Sequence, residues 1–89
     1  MSSKSYYTLI GFTRFDDRAE PIFGSHIRSE VKFEMDEYNY NKRIMGKDSE
    51  YTEFHIITTT SYMTDDVNSA IADFERARRD KKLTQSKPN

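Results

Sequence analysis

Residues 6–15 (YYTLIGFTRF) are the first dense run of aromatic and β-branched positions, which is strand composition. One face carries Tyr6, Thr8, Ile10, Phe12 and Arg14, the other Tyr7, Leu9, Gly11, Thr13 and Phe15. Both are partly apolar, so alternation does not choose the buried one. Asp16-Asp17-Arg18 breaks the run, and residues 19–25 (AEPIFGS), with Pro21 and Gly24, read as a loop. Residues 27–36 (IRSEVKFEMD) alternate: Ile27, Val31, Phe33 and Met35 on one side, Arg28, Glu30, Lys32, Glu34 and Asp36 on the other. That pattern predicts a half-buried antiparallel strand. Parity then reverses at Tyr38, Tyr40 and Ile44, as a bulge, a turn or a new element would produce, and residues 36–48 stay unassigned.

Gly46-Lys47-Asp48-Ser49 is a turn signal, and residues 53–63 (EFHIITTTSYM) are the strongest strand by composition. A hairpin between segments 27–44 and 50–63 is the expected tertiary contact. Thr64-Asp65-Asp66 offers a cap and first-turn acids, after which Val67, Ala70, Ile71, Phe74 and Ala77 form a narrow helical stripe ending near Lys81 or Lys82. The expected fold class is therefore α+β. A small antiparallel sheet of three to four strands, in β-β-β-α order, is packed by one C-terminal helix. The ordered domain spans 6–82, with flexible ends at 1–5 and 83–89. So thin a helix leaves sheet surface open, which favours a dimer or a partner that completes it.

Composition narrows the class. Leu, Ile, Val and Phe supply seventeen of 89 residues, but the net charge of −1 argues for a folded chain over a disordered one. There is no cysteine, and no apolar run approaches membrane-spanning length, so the expected setting is cytoplasmic with no membrane contact. The charge is uneven: from Arg76 onward six cations face only Asp80. These cations either mark an anionic partner or complement a helix C-terminus.

The chemistry is sparse. Gly11, Gly24 and Gly46 stand alone, excluding a phosphate loop or dinucleotide fingerprint. His55 and Ser61 can be drawn into a nucleophilic arrangement, but their spacing does not favour it over a sheet-face histidine. Asp16-Asp17, Asp36-Glu37 and Asp65-Asp66 lack calcium-loop spacing, and turns, strand ends and caps account for them. The expectation is no catalysis, cofactor or metal.

Two binding readings remain. The first is a protein-binding regulator or inhibitor that occupies a partner protein's surface through an acidic, tyrosine-rich hairpin. Its candidate residues are Glu34, Asp36, Glu37, Tyr38, Tyr40 and Tyr51, because aromatic anchors and steering charges suit protein interfaces. Compact chains without motif chemistry include such regulators, among them those phages encode against host machinery; size and type support this step, not any single residue. The second reading is a binder of single-stranded nucleic acid or nucleotide using Phe12, Arg14, Arg76, Arg78 and Arg79, where aromatics stack bases and cations hold phosphates.

Overall fold

The central strand is the most apolar one, and it is covered on both faces. The computed structural model describes the backbone of residues 5–86, with side chains through residue 81. The elements are β1 (Tyr6–Thr13), β2 (Ala19–Ser25), α1 (Arg28–Met45), a 3-10 turn at Gly46–Asp48, β3 (Tyr51–Thr59) and α2 (Thr64–Ser86). The sheet order is β2-β1-β3, with β1 antiparallel to both neighbours. The chain is thus α+β, an antiparallel sheet with a C-terminal helix, and it carries a second helix between β2 and β3.

That second helix explains the ambiguity of β1. Leu9 packs with Val31 and Phe54 under α1, while Ile10 and Phe12 pack with Ile57, Val67 and Ile71 under α2. Successive side chains in a strand point to opposite faces, so a strand buried on both faces reads as a continuous apolar run.

Residues 27–36 are not a strand, and the 27–44/50–63 hairpin does not form; β3 pairs with β1 instead. The period-2 pattern was coincidental. Val31, Met35 and Tyr38 lie at i, i+4 and i+7 and all pack on the sheet, which makes the parity reversal at Tyr38 the mark of a helix. Glu, Lys, Met and Arg are also helix formers, and β-branched residues are few between 28 and 45. Ser25 organises the start: its hydroxyl accepts the Ile27 N–H at 3.0 Å and donates to Glu30 Oε1 at 2.7 Å. Gly46 ends α1 at φ +56, a conformation costly for residues bearing a Cβ.

Residues 19–25 are an edge strand and not a loop. Ile10 faces Pro21 while Leu9 faces Phe23, so Ile22 is the extra residue of a bulge, a place where an edge tolerates proline. β1 and β3 stop at Thr13 and Thr59, short of the expected 15 and 63. The last helix runs to Ser86, taking in 83–86 of the expected tail. Residues 1–4 and 87–89 of the expected flexible ends lie outside the described residues.

Candidate functional site

Helix α1 has two different faces. Inward, Val31, Met35 and Tyr38 pack on the sheet, and the Lys42 ammonium donates to the Thr52 carbonyl at 2.8 Å. Outward, Phe33, Tyr40 and Ile44 are 61%, 60% and 67% exposed. At 33, 40 and 44 these residues lie on one stripe. Asp36 and Glu37 sit between them, and with Phe33, Tyr40 and Asn41 they line a shallow cleft of about 480 Å³. Lys32 reaches Asp36 one turn on, at 2.8 Å. This is an exposed pair that contributes little to stability.

Of the six residues expected at a protein interface, Asp36, Glu37 and Tyr40 share this outward face, and Glu34 is half-buried on the same helix. Tyr38 turns inward, its ring 5.5 Å from that of Phe54. Tyr51 lies across the sheet over Gly11, whose missing Cβ makes room, and its hydroxyl donates to Glu20 Oε1 at 3.1 Å. Burial first, and the Glu20 contact second, push the Tyr51 phenol up to about 12. Phe33 and Ile44 complete the stripe. A strand reading puts Phe33 on a buried face, whereas helical spacing identifies both.

The residues of the nucleic-acid reading are mostly engaged in the fold. Phe12 is 1% exposed, in the core. Arg14 donates from Nε to the Ser49 carbonyl at 2.8 Å and from Nη2 to the Gly46 carbonyl at 3.1 Å, tying down the α1–β3 connection. Arg78, 15% exposed, lies over the Phe12 ring and donates to Asp17 Oδ2 at 2.9 Å and Glu53 Oε2 at 2.5 Å. Arg76 pairs at the surface with Asp73, 3.3 Å away. Arg79 is exposed and lines a cleft of about 450 Å³ in which Arg18, Arg78 and Arg79 are matched by Asp16, Asp17 and Glu75, leaving no net positive charge to hold a phosphate.

Glu53 joins Arg78 to His55, whose Nε2 is 2.6 Å from Glu53 Oε1. The His55 ring packs against Phe12 and Phe74. The hydrogen bond from Arg78 outweighs burial, and with a further contribution from His55 it holds the Glu53 carboxyl down at about 2. The carboxylate is therefore ionised near neutrality and holds both partners in place. Arg78 is shifted further up by the same contacts. Among the described residues, no three histidine or acidic side chains converge as a metal site requires, and no helix is long and apolar enough to cross a membrane. No family model matches the chain, and no curated protein or solved structure shows significant similarity to it.

Proposed function

We propose that this chain is a cytoplasmic, non-catalytic protein-binding module, a regulator or inhibitor that occupies a partner's surface with the outward face of α1. The carrying observation is the stripe of Phe33, Tyr40 and Ile44 on a helix whose opposite face is already packed on the sheet. Scattered exposed apolar side chains are ordinary, but three aligned on one helix form a ready-made anchor for a groove. Asp36 and Glu37 at the middle of the stripe specify the groove's chemistry: apolar at its floor and bordered by Lys or Arg. The acidic, tyrosine-bearing character expected of a hairpin thus belongs to a helix in this reading.

The test is photo-crosslinking from a benzophenone side chain at position 33, in lysate treated with nuclease. The expected product is one protein cross-linked in stoichiometric yield, competed away by the unmodified chain. The Phe33→Ser, Tyr40→Ala double variant should fail to compete. A partner that this double variant displaces as well as the unmodified chain does would remove α1 as the site. Capture seen only in a parallel lysate without nuclease would return the reading to nucleic acid.

A further inference from the structure

The sheet has two edges, and they are treated differently. The β2 edge is blocked three ways: by Pro21, which has no N–H, by the bulge at Ile22, and by Glu75, whose Oε2 takes the Ala19 N–H at 2.7 Å. Proteins use such devices to stop an edge from pairing with another chain. The β3 edge is blunted only at its start, where Thr52 is the extra residue of a bulge and gives its carbonyl to Lys42. From Glu53 to Thr59 it is regular, free of proline and lysine, and rich in Ile and Thr. Its one charged residue, Glu53, is held by Arg78. No described element pairs with this edge.

We infer that β3 is the interface of a twofold dimer, pairing antiparallel with the β3 of a second copy so that one sheet runs through both chains. The occupant follows from the strand's own sequence. Centring the regular stretch on Ile56 sets Ile56 against the partner's Ile56, His55 against the partner's Ile57, Phe54 against the partner's Thr58 and Glu53 against the partner's Thr59. Each chain meets itself without a like-charged pair, and the aromatic–β-branched contacts are of the favourable cross-strand kind. A cavity of about 360 Å³ floored by Phe74 and Ala77 opens beside Glu53 and His55, and no β1 or β2 residue lines it. It therefore lies on the β3 side of the molecule, where a neighbouring strand would cover it. The interface is separate from the α1 face and does not depend on that reading.

Sedimentation equilibrium tests it. The expected mass is twice the 10.5 kDa of the chain. Thr58 is exposed, so Thr58→Lys leaves the core intact while placing a charge on the edge, and it should weaken the dimer at least tenfold. The chain contains no cysteine, so a single introduced thiol can bridge only to another copy. Ile56→Cys, with its fold checked by circular dichroism, should lock a covalent dimer under mild oxidation, and Thr58→Cys should not. A single-chain mass at about 100 μM would overturn the inference. So would a dimer that survives Thr58→Lys, or one lost instead through Phe33→Ser with Tyr40→Ala.

Discussion

The guanidinium carbon of Arg78 stands 4.1 Å from the centre of the Phe12 ring, so a cation from α2 closes the end of the hydrophobic core. The same group bridges Asp17, at the tip of the β1–β2 connection, to Glu53 on β3. Asp17 itself sits at φ +55, a conformation that aspartate tolerates better than most residues.

Removing Arg78 should therefore destabilise the fold more than removing any other C-terminal cation. Arg78→Ala loses the ring contact and leaves Glu53 partly buried without its main donor. Both acids retain solvent contact, which tempers the cost to about 2 kcal/mol, or roughly 10 °C in Tm. Arg78→Lys keeps the charge but not the planar fork and should recover about half of the loss. Arg76→Ala, at an exposed pair, should stay within about 0.5 kcal/mol. Urea unfolding of the three variants measures the order.

Glu53 makes the same network sensitive to acid. Its carboxyl lies at about 2 in the folded chain against an ordinary 4.5, so folding favours the ionised form. A lowered folded value contributes stability that is present above pH 4.5 and lost as pH falls toward 2. Glu53→Gln cannot contribute in this way. The difference in urea midpoint between wild type and Glu53→Gln should be largest near neutrality and close between about pH 5 and 2. A gap that stays constant through that window would disconnect Glu53 from the acid response.

The arginine at 78 was legible as charge but not as structure. Val67, Ile71, Phe74 and Arg78 fall at i, i+4, i+7 and i+11, so Arg78 continues the inward stripe, yet a cation on a basic helix end looks like surface. Its partners, 25 and 61 residues away, are fixed only by the sheet register. The strands β1 and β3 were readable from composition because aromatic and β-branched residues crowd there. Helix α1 was not, because Ile27, Val31 and Met35 satisfy both periods over a short window, Phe33 fits only the strand period, and Tyr38 fits only the helical one. The edge strand β2 was hidden by Pro21 and Gly24, residues that signal loops unless a bulge accommodates them.

Tyr51 carries the opposite sign at alkaline pH. Its phenol is raised from 10.0 to about 12, mainly by burial and then by the hydrogen bond to Glu20, so folding favours the neutral form. That contribution is complete below pH 10 and lost as pH rises toward 12. Tyrosinate absorbance should show one phenol ionising late, and Tyr51→Phe should remove it. Gly11→Ala reaches the same contact from below. A Cβ there would stand 2.7 Å from Tyr51 Cδ1 and 2.8 Å from Ile22 Cδ1, which should cost about 1–3 kcal/mol and lower the Tyr51 pKa as its ring is displaced.

Tyr38 and Tyr40, two residues apart, separate folding from binding on a single helix. Tyr38 packs against Phe54, so Tyr38→Ala opens space beside the sheet and should cost about 2–3 kcal/mol. Tyr40 faces solvent, and alanine is the better helix former, so Tyr40→Ala should change stability by no more than about 0.5 kcal/mol, in either direction. If α1 is the docking face, binding responds in the reverse order. Tyr40→Ala should weaken partner capture at least tenfold with the urea midpoint unchanged. Tyr38→Ala should weaken it only as far as it reduces the folded fraction. Equal binding by wild type and Tyr40→Ala would move the interface off α1.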